Sequence, residues 1–461
     1  MSSPHILVLP LPAQVFEMVP GILFLDYLLQ DTSKARRQLN SQQGHVIPMM
    51  ELSQSLVNHG FKVTFVNTDF NHNRVTNTLP DDQSHIRRDC IDLVSIPDGL
   101  EPGQDTNDPG KLSEAMQQVM PGKLEELIEK INNRGEGDKI TCVIADQAIG
   151  WALEIAVKMK IKAAAFWPAS AAVLALKLSI PELIYEGIID NDGDLTSLAP
   201  NMPTIKTADF IWVRLGNKTT QKIMFQSMLK CNKAVQVADW LLCNSAYDLE
   251  PATFTFTPEI LPIGPLLASR QLGNSAGYFW PQDSTCLEWL DHQPPSSVIY
   301  IAFGSFTIFS PTQFKELALA LEFSERPFLW VVQPDITDTT SDPYPEGYQE
   351  RVASRSRMPL RLELYPEGLS NGVPFLCWPY FAEQFTNESY VCDVWKVGLK
   401  FEKNETGITT KEEIKNKLEQ LLGDKDFNER ALKLKELAIA NVEEGGQSNK
   451  IFKNFVEWMK S

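Results

Sequence analysis

Apolar and polar positions along this chain follow two periods that take turns. HILVLPL from His5, FKVTFVNT from Phe61 and TCVIAD from Thr141 are short runs rich in β-branched, aromatic and aliphatic residues, the composition of strands buried on both faces. Helical periods follow them, from about His45 to His59 and in GWALEIAVKMK from Gly150, with apolar residues recurring at steps of three and four. A strand, helix, strand rhythm predicts a parallel sheet covered on both faces. The rhythm restarts near Ser296 with SSVIYIAFGS, then PTQFKELALALEF, PFLWVVQPD and PFLCWPY. The fold class is therefore α/β, with two parallel-sheet domains in series.

Between the two halves, ADWLLCNSAYDLEP ends a strand and ILPIGPLLAS brings proline and glycine, the punctuation of a linker. The expected division is an N-terminal domain over 1–250, a linker over 251–285, a C-terminal domain over 286–446 and a terminal helix over 447–461. In that last segment Ile451, Phe452, Phe455, Val456 and Met459 share one helical face, so the helix should dock back on the body.

Composition narrows the partners. A net charge of -17 over 461 residues repels phosphate backbones and anionic lipid surfaces, which argues against nucleic acid. The seven cysteines are scattered, with no spacing that would hold a metal, and read as buried thiols of a reducing, cytoplasmic compartment. The longest apolar run near the N-terminus, VPGILFLDYLL, is too short to span a bilayer and contains Asp26.

Ligands of paired α/β domains bind in the cleft at the carboxyl ends of their strands, so the residues just after strands matter. His45 precedes a helix whose first turn contains Pro48. An imidazole there can take a proton from a hydroxyl, or be an ordinary polar helix start. Asp146 ends TCVIAD and can orient such a histidine, or simply cap the following helix. Gly304 and Ser305 end IAFGS and offer backbone N–H groups to a phosphate. Glu367 opens EGLSNGVPFLCWPYFAEQ, and Glu383 with Gln384 close it; carboxylate and amide side chains at strand ends suit sugar hydroxyls.

Together these residues resemble the plant family of UDP-dependent glycosyltransferases. The matching pieces are PLPAQ with GHVIPMMELSQSL, SIPDGL, WLLCNSAYDLEP, LPIGPLL, CLEWLDHQPPSSVIYIAFGS, PFLWVV and GVPFLCWPYFAEQ, in the family's order over most of the chain. The resemblance implies a GT-B fold, two Rossmann-like domains facing across a cleft. It also implies inverting transfer of a sugar, glucose by the presence of Gln384, from a UDP-sugar to a hydroxyl or carboxyl of a small lipophilic metabolite. It makes His45 the base, Asp146 its orienting partner, Ser305 a phosphate contact, Glu367 a ribose contact and Glu383 with Gln384 the sugar-holding pair. The UDP-sugar is a co-substrate, and the resemblance implies neither a further cofactor nor a metal.

Two departures stand out. Residues 15–43 separate PLPAQ from GHVIP, which the family joins directly. Near 358–366, PLRLELYP stands between RVASRSRM and EGLSNGVP, where the family's donor-binding box carries a tryptophan, a histidine and a Trp-Asn-Ser turn. The resemblance thus implies a transferase with an impaired donor side. A non-catalytic acceptor-binding protein and a mis-spliced or mispredicted gene product are the alternatives. The inserted residues are expected to be extruded as a loop, since loop closure costs grow slowly with length.

Overall fold

In a computed structural model of the chain, the residues described are 3–11, 22–26, 45–76, 91–100, 108–185, 195–196, 205–206, 218–266, 284–294, 297–303, 307–332, 336–337, 342–359, 372–380 and 383–461. Contacts divide the chain into two units. Unit 1 comprises 1–17, 43–281 and 438–461; unit 2 comprises 18–42 and 282–437. Residues 251–266, expected in a linker, fall in unit 1, where Pro251–Phe256 is helical and Leu261–Pro262 is a strand. Residues 18–42, expected as a loop of the N-terminal half, group with unit 2.

Unit 1 is built on β1 (His5–Leu9). The next strand in the chain, β2 (Ile22–Asp26), belongs to unit 2. Unit 1 continues with β3 (Lys62–Thr68), β4 (Ile91–Ile96), β5 (Ile140–Asp146) and β6 (Lys162–Trp167). A small antiparallel pair, β7 (Leu195–Thr196) and β8 (Ile205–Lys206), precedes β9 (Trp240–Cys243) and β10 (Leu261–Pro262). The large sheet runs β10-β9-β6-β5-β1-β3-β4 and every neighbouring pair is parallel. Alternate residues of its strands, among them Ile6, Val8, Val63, Phe65, Cys142 and Ile144, form one core with Val46, Met49, Met50 and Leu52 of the helix Val46–Asn58. The terminal helix Gln447–Lys460 adds Phe455, Val456 and Met459 to that core, as its apolar face predicts. Each such side chain, once buried, contributes about 1.5–3 kcal/mol.

Two of the motif stretches have local physical roles. In SIPDGL, Asp98 Oδ1 accepts from Leu100 N at 3.0 Å, while Gly99 has φ of +90° and a Cβ there would lie 2.7 Å from the Ala115 carbonyl oxygen. Only glycine fits that turn. In NSAYDLEP, Glu250 is buried and accepts from Ala171 N and Ala172 N at 2.9 and 2.8 Å and from Ser245 Oγ at 2.5 Å. It thereby caps the helix Ala171–Tyr185. Burial pushes its carboxyl above the ordinary value, and these three donors oppose the shift.

Unit 2 contains β11 (Val298–Ala302), β12 (Phe328–Trp330), β13 (Ser356–Arg357), β14 (Phe375–Cys377) and β15 (Gly398–Lys400). Its sheet order is β13-β12-β11-β2-β14-β15. Alternation sends Ile299, Ile301, Phe328, Trp330 and Leu376 into a core with the helices Pro311–Phe323 and Lys411–Gly423. Val298, Tyr300, Ala302, Phe375 and Cys377 go to the opposite face with Trp289 and Leu290 of the helix Ser284–Asp291. The expected all-parallel sheet is corrected in one place. β2 runs antiparallel to both β11 and β14, whereas the other pairs are parallel. The LRLELY stretch near 358–366 lies outside the described residues. Among the described residues no helix is long and apolar enough to cross a membrane.

Candidate active site

The register of the unit 1 sheet brings two distant residues together. β1 and β5 are direct neighbours, with Leu9 opposite Ala145, so Asp146 stands at the carboxyl edge beside the end of β1. His45 is the N-cap residue of the helix Val46–Asn58, which packs on β1 and β3, so its N-terminus meets the same edge. The outcome is a hydrogen bond from His45 Nδ1 to Asp146 Oδ2 at 2.5 Å across 101 residues of sequence. Both groups are buried, at 2% and 0% exposure.

The tautomer follows from the partner. An ionised carboxylate only accepts, so Nδ1 carries the proton and Nε2 presents its lone pair. Nε2 is buried and, among the described residues, has no hydrogen-bond partner. Asp146 Oδ1 meanwhile accepts from Ala148 N at 2.8 Å, capping the turn Gln147–Ile149. Asp146 thus bonds the turn through one oxygen and the His45 ring through the other.

Around this pair the structure adds residues that no sequence spacing singled out. Trp167 ends β6 and meets the His45 ring edge-to-face, with centroids 5.7 Å apart. Lys177 Nζ sits over the Trp167 ring at 4.1 Å from its centroid and donates to Gln147 Oε1 at 2.7 Å. Gln147 Nε2 donates to Asn232 Oδ1 at 3.0 Å, and Asn232 Nδ2 to the Lys177 carbonyl at 2.6 Å. This chain of bonds holds the floor beside the imidazole. Asn67 lies two residues beyond the Val8–Phe65 pair, as Asp146 lies two beyond Val8–Ile144. Its side-chain amide is buried, and among the described residues neither polar atom has a hydrogen-bond partner. A run of small and aromatic residues before a strand end was the signal for Trp167; Asn67 at the end of FVNT carried the same strand-end signal as Asp146. In AFWPASAAVLALKL, Ala171 to Leu176 are buried in the helix core of unit 1.

Of the four residues expected on the donor side, Ser305 and Glu367 lie outside the described residues. Glu383 and Gln384 begin the helix Gln384–Ser389 of unit 2 and are both buried. Gln384 Oε1 accepts from Tyr380 N at 2.7 Å, closing the turn after β14. The six cysteines described are all free, five of them buried.

Comparison with known proteins shows the family of the chain. Residues 363–440 match the family described as UDP-glucoronosyl and UDP-glucosyl transferase. Over its whole length the chain is 41% identical to UDP-glycosyltransferase 83A1 of Arabidopsis thaliana, covering 98% of that protein. The chain belongs to the plant UDP-glycosyltransferase family. The alignment spans 490 positions against 461 residues here, so this family member lacks residues that its relative has. Linamarin synthase 1 of Manihot esculenta is 30% identical over 90% of this chain and 94% of its own length. Among solved family members, a UDP-glucosyltransferase of Polygonum tinctorium superposes with a TM-score of 0.75 at 21% identity, over 100% of this chain and 99% of that one. Phytolacca americana UGT2, solved with UDP-2-fluoro-glucose and pterostilbene, gives 0.74 at 20% over all of both chains. The fold is therefore the GT-B fold of plant UDP-glycosyltransferases.

Proposed function

We propose that this chain is a cytoplasmic transferase that moves glucose, without a metal, from UDP-glucose to a hydroxyl or carboxyl of a small lipophilic metabolite, with inversion at the anomeric carbon. The observation that carries this reading is the buried His45 ring, held through Nδ1 by Asp146 and presenting a bare Nε2. In the step proposed, Nε2 removes the acceptor O–H proton as the oxygen attacks the anomeric carbon. The bond from that carbon to the β-phosphate oxygen breaks, and its electron pair leaves on UDP. The imidazolium is stabilised by the Asp146 carboxylate. Base catalysis of this kind supplies about 10²- to 10⁴-fold. The names of the relatives support a UDP-sugar as donor and a small metabolite as acceptor.

On the donor side the proposed contacts are Ser305, Glu367, Glu383 and Gln384. With the box before Glu367 shortened, we propose weakened donor binding and slow transfer. A base-stacking contact is worth about 1–3 kcal/mol, so losing one costs roughly one to two orders of magnitude in affinity. Calorimetric titration with UDP-glucose, run beside a UDP-release assay on a panel of phenols and aliphatic alcohols, tests both parts. Weak binding with slow turnover is expected. Low-micromolar donor binding refutes the weakened donor side, and absent turnover at saturating donor refutes the transferase in favour of the acceptor-binding reading.

A further inference from the structure

Residues 18–42 are the one part of unit 2 that precedes the helix Val46–Asn58 in sequence; the rest of that unit is the continuous stretch 282–437. Within the segment, β2 occupies the centre of the sheet. Asp26 to Ile22 lie opposite Val298 to Ala302, covering all five residues of β11, and Phe24 to Ile22 lie opposite Phe375 to Cys377, covering all three of β14. Neighbouring strands stand about 4.8 Å apart, so β11 and β14, with one strand between them, are too distant to pair directly. Without β2 the sheet separates into β13-β12-β11 and β14-β15. Two buried strand edges would then have no hydrogen-bond partners, a cost that folded proteins avoid.

The segment suits the position. Ile22, Leu23, Phe24 and Leu25 form an uninterrupted apolar run, as a strand covered on both faces requires. Pro20 and Gly21 before it, and Asp26 at its end, are residues that strand interiors exclude. Its direction differs from that of its neighbours, which a βαβ crossover within unit 2 would not produce. A strand supplied from elsewhere in the chain is free of that constraint.

We infer that the interval between β11 and β14 is a strand-accepting slot, and that the stretch between β1 and the helix Val46–Asn58 serves to deliver Ile22–Asp26 into it. Unit 2 is thus completed by strand addition in cis. This assignment stands independently of the transferase reading.

The register offers a direct test, because Ile22 is opposite the native Cys377. Paired antiparallel residues have Cα atoms about 4.5–5.5 Å apart, within the range a disulfide spans. In the full-length I22C variant, mild oxidation followed by peptide mapping should link position 22 to Cys377. Adding F24P should abolish that link and speed amide exchange across 298–302 and 375–377 by about tenfold or more, since proline is excluded from central strands. F24V should preserve both the link and the protection. A C392S background removes the competing thiol, whose sulfur lies 3.7 Å from that of Cys377, and absence of the link between position 22 and Cys377 in that background overturns the assignment. Unchanged exchange at 298–302 and 375–377 in F24P overturns it too.

Discussion

Asp146→Asn probes the proposed catalytic pair with the least disturbance of shape. The substitution keeps the side-chain volume and leaves one oxygen and one NH2 group to divide between two partners. The oxygen is required by Ala148 N at 2.8 Å, so the NH2 group falls opposite His45 Nδ1, where the carboxylate stood at 2.5 Å. Two donors cannot face each other. The imidazole responds by moving its proton to Nε2, and the atom proposed to accept the acceptor proton no longer can. The full contribution of a general base is about 10²- to 10⁴-fold, and the same substitution in a hydrolase triad costs about 10⁴-fold, equivalent to about 5.5 kcal/mol at 1.36 kcal/mol per decade. The expectation is a fall in kcat of at least about 100-fold, with KM for UDP-glucose nearly unchanged. UDP release under saturating donor measures the rate, and 15N NMR of the histidine ring measures the tautomer. A variant that retains turnover within about threefold, or whose ring keeps the proton on Nδ1, refutes the orienting role assigned to Asp146. The NMR arm needs no turnover, so it remains decisive if the donor side is slow.

Two further outcomes follow from the same geometry and from the electrostatics of unit 1. His45→Ala should abolish transfer to hydroxyl acceptors while sparing transfer to carboxylic acids, which are ionised near pH 7 and need no base; equal losses on both classes in the UDP-release assay refute base catalysis. His5 is buried, with its ring nitrogens 2.8 Å from the Asp138 carbonyl oxygen and 2.8 Å from Thr64 Oγ1, and burial lowers its pKa below the ordinary 6.5. The folded protein therefore binds fewer protons at this site than the unfolded chain, and stability at this residue is present above about pH 6.5 and lost as pH falls from there toward the lowered value. Chemical denaturation between pH 7 and 5 should show that loss, and His5→Gln should flatten it; a slope unchanged by the substitution would remove His5 as its source.

Much of this protein is legible from one dimension. The α/β alternation, the docking of the last helix through Phe455, Val456 and Met459, and the positions of His45 and Asp146 at element ends all follow from local period and local chemistry. Those signals reside in adjacent residues. The pairing of His45 with Asp146 required the β1–β5 register, which lies in hydrogen bonds between segments that no local pattern encodes. Asp146 could be read as a cap or as an orienting group, and only the folded carboxylate shows one oxygen on the Ala148 amide and the other on the His45 ring. Trp167, Lys177 and Gln147 became neighbours of the site for the same reason.

The stretch after PLPAQ marks the sharpest division. By itself the sequence showed that Ile22 to Leu25 are apolar without a break, and only its resemblance to the family set residues 15–43 apart from the segments on either side. An apolar run of that length satisfies a loop packed on a surface, a membrane contact or a strand equally well, because burial is non-directional. Tertiary structure decided among them. A strand is specified by the edges it joins, and the edges available to β2 are those of β11 and β14, more than 250 residues further along the chain.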